Sequence, residues 1–259
     1  CSVTSLSYSQ PNIQWQRSYG GERHDIANSV FPTKDGGYII AGSSWSKIGD
    51  VTPMNGNSGN HGYNDYWIVK ISSIGNIEWQ KSIGGSGDEA ARSVISTIDG
   101  GYIIAGYSES KDGDLAPMIG NFGNHGQFDY WIVKLDSTGK PGHAPDIEWQ
   151  RSFGGSNDDQ ATSIIPTIDG GYVVAGYSAS SDGDLAPMKG NSGNHGGLDY
   201  WVIKLSSIVK PGHAPDIEWQ KSIGGSDDDE ALSILPTTDG GYIIGGYSSS
   251  NDFDATPMG

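Results

Sequence analysis

Four copies of one pattern run through the chain, and this repetition restricts what it can fold into more than any other feature. Ile13-Gln14-Trp15-Gln16 returns as Ile77-Glu78-Trp79-Gln80, Ile147-Glu148-Trp149-Gln150 and Ile217-Glu218-Trp219-Gln220, with Trp spacings of 64, 70 and 70 residues. Asp-Gly-Gly-Tyr returns in step at Tyr38, Tyr102, Tyr172 and Tyr242, and Asp-Tyr-Trp occurs three times, from Asp65, Asp129 and Asp199. The longer units carry an insert, Lys-Pro-Gly-His-Ala-Pro-Asp, at Lys140–Asp146 and Lys210–Asp216. A fixed long period means that each unit is one supersecondary module, which buries its apolar face against its neighbours.

Each unit reads as four short strands. In the second they are Ile77 to Ile83, Ala91 to Thr97, Tyr102 to Tyr107 and Tyr130 to Leu135. Asp99-Gly100-Gly101 is a turn suited to positive φ. No helical period of 3.6 survives, and runs such as Tyr130-Trp131-Ile132-Val133 are apolar on both faces and need cover on both sides. Four-stranded antiparallel units packed face to face in a ring meet that need. The sequence therefore predicts an all-β fold, a β-propeller of four repeats of 64–70 residues, with a parallel β-helix as the second possibility.

Ring closure is the weak point of this architecture. The fourth unit ends at Pro257-Met258-Gly259 before any Asp-Tyr-Trp strand. Residues 13–259 form the propeller domain with its last repeat incomplete, and 1–12 form a tether. Closure then falls to the N-terminal segment Ser2 to Tyr8, although Val3 stands where the other units have Trp67, Trp131 and Trp201. The alternatives are further repeats or a second chain, because an open strand edge invites pairing.

Composition excludes several functions. The 31 acidic against 15 basic residues give a net charge of −16, which repels phosphate backbones and anionic lipid. No apolar run approaches the roughly 18 residues of a spanning helix. The single cysteine, Cys1, rules out a disulfide framework, and the polar Ser2-Val3-Thr4-Ser5-Leu6-Ser7 follows it. That order is what a bacterial lipoprotein shows after processing, so a lipid on Cys1 is expected to be the only membrane attachment. The other reading is a sequence that begins arbitrarily.

The run Gly-Gly-Ser-x-Asp-Asp at Gly154–Asp159, the Asp-Gly-Gly-Tyr strand at Thr167–Ser178, Asp182-Gly183-Asp184, Gly193-Asn194-His195 and Asp199–Lys204 together resemble a repeat of secreted and lipid-anchored propeller-like proteins of Bacteroidota. The resemblance covers residues 13–259 and implies an extracellular or cell-surface β-propeller, lipid-anchored to a bacterial outer membrane. It implies no reaction. The Ala-Pro-Met segment between Asp-Gly-Asp and Gly-Asn-His-Gly departs from the pattern.

Alternating strand direction places the loops after the Trp-Gln and Tyr-Ile-Ile strands at one end of every unit. This rim collects Asp88, Glu89, Asp158, Asp159, Asp228 and Asp229, and the long loops Asp50–Asp65, Asp114–Asp129 and Asp184–Asp199. It is the candidate ligand or partner surface, because loops of this length are commonly functional. Calcium takes six to eight oxygen ligands, and Asp112, Asp114, Asp129, Asp182, Asp184, Asp199, Asp50 and Asp65 are its candidate ligands; the plainer reading is that Asp and Gly make turns. His61, His125 and His195, each in Gly-Asn-His-Gly, converge at an axis or, more simply, cap loops by bonding a carbonyl. Trp45 stands alone where other units have Glu109, Ala179 and Ser249. Trp15, Trp79, Trp149 and Trp219 are expected between blades.

The chain has no nucleophile elbow, phosphate-cradling loop or partnered cysteine nucleophile, and adjacent carboxylates on Gly-rich loops serve poorly as a glycosidase pair. The sequence therefore predicts a non-catalytic module. It would dock a protein partner, or self-associate through a blade edge; the alternative is calcium-assisted glycan binding, and a glycoside-active enzyme ranks third.

Overall fold

The computed structural model describes residues 12–53, 59–115, 123–186, 193–207 and 213–255. Cys1, the segment Ser2 to Tyr8 and the first residues of the second insert lie outside this range. Fourteen strands run through the described residues: β1 Asp25–Pro32, β2 Tyr38–Ser44, β3 Asp65–Ile71, β4 Ile77–Ile83, β5 Glu89–Ser96, β6 Tyr102–Ser108, β7 Asp129–Leu135, β8 Ile147–Phe153, β9 Asp159–Pro166, β10 Tyr172–Ser178, β11 Asp199–Leu205, β12 Ile217–Ile223, β13 Asp229–Pro236 and β14 Tyr242–Ser248. They form three four-stranded antiparallel sheets, β1 to β4, β5 to β8 and β9 to β12, and a two-stranded sheet, β13–β14. The architecture is a repeated all-β stack of blade-like sheets.

The sheets are out of phase with the sequence units by one strand. Ile-Glu-Trp-Gln, read as the first strand of a unit, is the last strand of the preceding sheet. The cause is local: β3 and β4 are joined by the tight turn Ser72–Asn76, where Gly75 N–H donates to Ser72 O at 3.0 Å and Gly75 takes φ of 78°. A turn this short makes a hairpin of the Asp-Tyr-Trp and Trp-Gln strands. The Asp-Gly-Gly turns behave as the sequence requires, with Gly36, Gly100, Gly170 and Gly240 all at positive φ.

Successive sheets pack face to face. Ile39, Tyr66, Ile68 and Trp79 from the first sheet share a core with Ala91, Val94, Ile104 and Trp131 of the second. Ile103, Tyr130, Ile132 and Trp149 meet Ala161, Ile164, Val174 and Trp201 in the same way. Trp79 and Trp149 are thus buried between sheets, whereas Trp15 and Trp219, at the two ends of the stack, are partly exposed. The first strands of neighbouring sheets are tied at their bulges, where Asn28 Nδ2 donates to Ala91 O at 2.8 Å and Thr162 Oγ1 to Ala231 O at 2.8 Å.

Each junction is keyed by one tyrosine. Tyr66 Oη donates to Trp131 O at 2.9 Å with the two rings 4.6 Å apart, and Tyr130 Oη donates to Trp201 O at 2.7 Å with the same ring separation. The hydroxyls enter slots that only glycine leaves open: a Cβ on Gly106 or Gly176 would stand 2.6 Å from the tyrosine oxygen and 2.0 Å from a backbone carbonyl oxygen. Those glycines pair across the sheet with the same tryptophans, Gly106 with Trp131 and Gly176 with Trp201.

Three interior lysines close the sheets at the opposite end. Lys70, Lys134 and Lys204 are buried, and each bridges two carboxylates, Asp35 and Glu78, Asp99 and Glu148, or Asp169 and Glu218, at 2.8–3.1 Å. For Lys134 burial acts to lower the pKa, but the bonds to Asp99 and Glu148 outweigh it and raise it; burial likewise opposes, without reversing, the fall of Asp99 to about 2.

Tyr130 gives the direct test of this packing. Tyr130→Phe loses one buried hydrogen bond and is expected to cost about 1 kcal/mol. Tyr130→Ala opens a cavity between two sheets and is expected to cost about 3–5 kcal/mol, both read from urea unfolding midpoints. Equal losses in the two variants would show that the ring does not key the junction.

Candidate functional site

The rim end of the stack is built from four repeats of one hydrogen-bonded arrangement. The first residue of each sheet is acidic, Asp25, Glu89, Asp159 or Asp229, and accepts the N–H of Gly21, Gly85, Gly155 or Gly225 at 2.7–2.8 Å. Glu89, Asp159 and Asp229 are buried at the sheet junctions, not displayed on the rim. Against them lies the first carboxylate of the preceding sheet's third strand. A Cβ on Gly84 would be 2.5 Å from Glu89 Oε2 and 2.8 Å from Asp65 Oδ1, and Gly154 and Gly224 are crowded alike by Asp129 with Asp159 and by Asp199 with Asp229. Carboxylates are therefore paired within each junction. The Oδ1 atoms of Asp65, Asp129 and Asp199 are buried with no hydrogen-bond partner.

Burial, and after it the hydrogen bonds and the facing carboxylate, set the acidity of these groups. Desolvation raises Glu89 to about 7 and Asp159 to about 7 against the bonds from Ser110 and Gly85 or from Ser178 and Gly155, with Asp65 and Asp129 adding repulsion. Asp65, Asp129 and Asp199 are also raised, chiefly by burial. Asp229, in the two-stranded sheet, goes the other way: burial opposes, and the bonds from Ser248 and Gly225 prevail.

The three Gly-Asn-His-Gly motifs serve these junctions. Asn60, Asn124 and Asn194 each pin the long loop through Nδ2 to two carbonyls, Ser44 O and Tyr63 O in the first case, at 2.8 and 2.7 Å. Each histidine faces the carboxylate four residues on: His61 Nδ1 lies 2.7 Å from Asp65 Oδ2, His125 2.8 Å from Asp129 and His195 2.7 Å from Asp199. The expected carbonyl partner is replaced by a carboxylate, because Asp65, Asp129 and Asp199 begin the third strands beneath the loops. The bond to Asp65 raises the His61 pKa against desolvation, and that to Asp129 does so for His125. The final glycines of the motif lie against the next sheet's loop, where a Cβ on Gly62 would be 2.4 Å from Gly85 O.

The candidate calcium ligands separate into three positions. Asp112 and Asp182 are exposed and accept Ser86 N–H and Ser156 N–H, each at 2.8 Å. Asp50, Asp114 and Asp184 accept Gly20, Gly84 and Gly154 N–H at 3.1–3.2 Å. Asp114 comes within 3.8 Å of His61 Nδ1 in a neighbouring pair, and Asp184 acts on the His125–Asp129 pair in the same way. Among the described residues no three His, Cys, Asp or Glu side chains form a metal-holding group. Asp88, Asp158 and Asp228 accept backbone N–H groups from Asn64, Phe128 and Leu198, which ties one sheet's loop to the next. Trp45 is half-buried under the Arg23 guanidinium, 4.4 Å from the ring centroid, and beside Tyr63.

A second feature lies at the front of the first sheet. A groove of about 490 Å³ is lined by Trp15, Tyr19, Ile26, Val30, Gly42 and Trp67 among others. Residues 12–21 form no strand, but Trp15 Nε1 donates to Ser73 O at 3.1 Å and Tyr19 Oη to Gly75 O at 2.6 Å, which holds them beside the groove. Among the described residues β14 pairs with β13 alone, and Ile243 on it is exposed. The sequence marks the rim but not the groove or the buried lysines. The lysines had a signal, since each is the penultimate residue of an Asp-Tyr-Trp strand at a fixed distance from an Asp-Gly-Gly turn.

These features define a tandem-repeat all-β protein. No family model matches the chain. It is 24% identical over 244 residues to the Regulatory protein FlaEY of Caulobacter vibrioides (strain ATCC 19089 / CIP 103742 / CB 15). The alignment covers 92% of this chain and 24% of that protein, so the chain spans about a quarter of the relative's length.

The paired carboxyls predict a pH dependence. Glu89 and Asp159 have ordinary values of 4.5 and 3.8 and folded values of about 7, so the folded chain binds more protons than the unfolded one between those limits. Stability present below pH ~4 is lost as pH rises through 7. The melting temperature should be higher at pH 5 than at pH 8, and Glu89→Gln with Asp159→Asn should shrink that difference. An unchanged difference in the double variant would show that these carboxyls stay ionised.

Proposed function

We propose that this chain is a non-catalytic docking and assembly module of β-propeller type, presented at a cell surface, which works through the faces exposed on its first and last described sheets. One observation carries the reading: among the described residues, positions covered in every internal junction are exposed in the first sheet and in β13–β14. Val94, Ile164 and Ile234 are 2%, 2% and 1% exposed, and Val30, at the same place in the first sheet, is 63% exposed. Ile243, at the place of the fully buried Ile39 and Ile103, is 61% exposed. Apolar positions left open in this way on a sheet face support protein association. The rim supports a binding role less directly, because its carboxylates are engaged in loop and junction hydrogen bonds.

The chain carries both halves of the contact it uses internally, a front face around Val30 and a back face around Ile243. Self-association is therefore expected in sedimentation velocity as a mass that rises with concentration through the micromolar range. Val30→Asp should return the protein to monomer while leaving its melting temperature within a few degrees of the native chain. Strictly monomeric behaviour of both proteins, together with glycan-array binding lost in Trp45→Ala, would instead favour a glycan-binding module.

A further inference from the structure

Four places at which the units differ in size and charge gather in one cleft at the rim, between the first and second sheets. Trp45 stands where the other units have Glu109, Ala179 and Ser249. Ile26 and Ala90 stand where the later units have Gln160 and Glu230, and Asn28 and Arg92 where they have Thr162 and Leu232. Asn64 and Phe128 stand where the third unit has Leu198. These first- and second-sheet residues line a cleft of about 440 Å³, and both of its walls belong to complete four-stranded sheets. The motifs that build the junctions, Gly-Gly, Asp-Gly-Gly-Tyr and Asp-Tyr-Trp, stay the same wherever they recur. The repeat thus holds its framework and changes its side chains around one hollow.

The hollow owes its depth to a short side chain. Ala90 pairs with Tyr107 across the second sheet, and the matching pair in the third sheet is Gln160 with Tyr177. There Gln160 Oε1 accepts the Tyr177 hydroxyl at 2.7 Å, whereas Ala90 has only a methyl group to offer and leaves the Tyr107 ring to the cleft. Tyr107 meets Phe128 edge to face with the rings 5.0 Å apart, and the Arg92 guanidinium lies 5.3 Å from the Tyr107 centroid. Trp45 lines the opposite wall, steadied by the Arg23 guanidinium against its ring. Polar groups of both kinds stand among these aromatic surfaces. The Asp88 carboxylate, which takes Asn64 Nδ2 at 2.8 Å, accepts only; Arg92 donates only; the amides of Asn28 and Asn64 do both.

This lining selects a class of ligand. The volume falls in the range of roughly 300–1,000 Å³ that small-molecule sites occupy. A wholly apolar ligand would strip water from Asp88, Arg92 and the two amides and give nothing back. An anion would meet the Asp88 and Glu89 carboxylates on the same wall and a chain of net charge −16. A sugar ring meets both conditions, because it presents a C–H face to an aromatic side chain and, around its edge, hydroxyls that each donate and accept. We propose that the cleft between the first and second sheets binds a neutral saccharide, with Trp45 and Tyr107 as its stacking surfaces and Asn28, Asp88 and Arg92 as partners of its hydroxyls. The site uses no metal ion, and it goes beyond the docking reading because it involves neither Val30 nor Ile243.

The test applies the full chain, in EDTA, to an array of neutral hexose and N-acetylhexosamine glycans, and then to the free disaccharide of the strongest spot by calorimetry. Saturable binding is expected, about tenfold or more weaker in Trp45→Ala and in Ala90→Gln. Each substitution installs the residue that the third unit carries at that place, and Ala90→Gln removes no contact group but fills the space. Arg92→Thr, also the third unit's residue, gives an independent reading if either variant melts more than a few degrees below the native chain. Binding unchanged in these variants would put the saccharide elsewhere and overturn the proposal. Binding of acidic glycans alone would overturn it too, as would no binding at all, the result expected if another part of the chain occupies the cleft. Loss of saccharide binding in the variants, with concentration-dependent association intact, would support the cleft separately from the docking surfaces.

Discussion

A strand that carries aromatic and aliphatic side chains on both faces is not stable at the surface of a protein, and the third strand of each four-stranded sheet here is of that kind. Tyr66-Trp67-Ile68-Val69 and its two copies are buried almost throughout. The stack follows from the requirement to cover both faces: each sheet needs one neighbour in front and one behind. The tyrosine at the junction fixes how closely the neighbour approaches, because its hydroxyl reaches a backbone carbonyl only where a glycine leaves the slot open. Apolar cover supplies the attraction and the Tyr–Gly–Trp contact supplies the register.

The polar parts of the repeat answer the same demand. Strands so closely stacked bury whatever lies at their ends, and there the chain places groups that bond to one another. The lysines are held between two carboxylates, the first acidic residues take loop N–H groups, and Gly-Asn-His-Gly pins a long loop across a carboxylate. The repeated Asp, Asn and His residues are thus tied into the construction of the junction.

Much of this was legible in the sequence. The strand Ile77–Ile83 agrees with the structure to the residue, and Tyr102 and Leu135 mark real strand limits, because turns rich in Gly and Asp bound runs rich in Ile, Val, Tyr and Trp. The phase of the sheets was harder to see, since a repeat has the same period wherever it is cut; the short Ser72–Asn76 turn was the local clue that β3 and β4 form a hairpin. Burial of Glu89 and Asp159 was illegible for another reason. An acidic pair beside Gly-Gly reads as a solvated loop, and only the facing Asp65 or Asp129, distant in sequence, closes it off.

The one-strand offset between sequence unit and sheet bears on how such a chain can change its length. The second, third and fourth units each contribute their Trp-Gln strand to the sheet before them and their other strands to the sheet after it, so unit boundaries fall inside the stack and not between its members. A duplicated unit inserted at any boundary inherits a matched junction on either side, and a deleted one leaves two ends that already fit. Repeat number is therefore nearly free to drift, while the junction itself is held fixed.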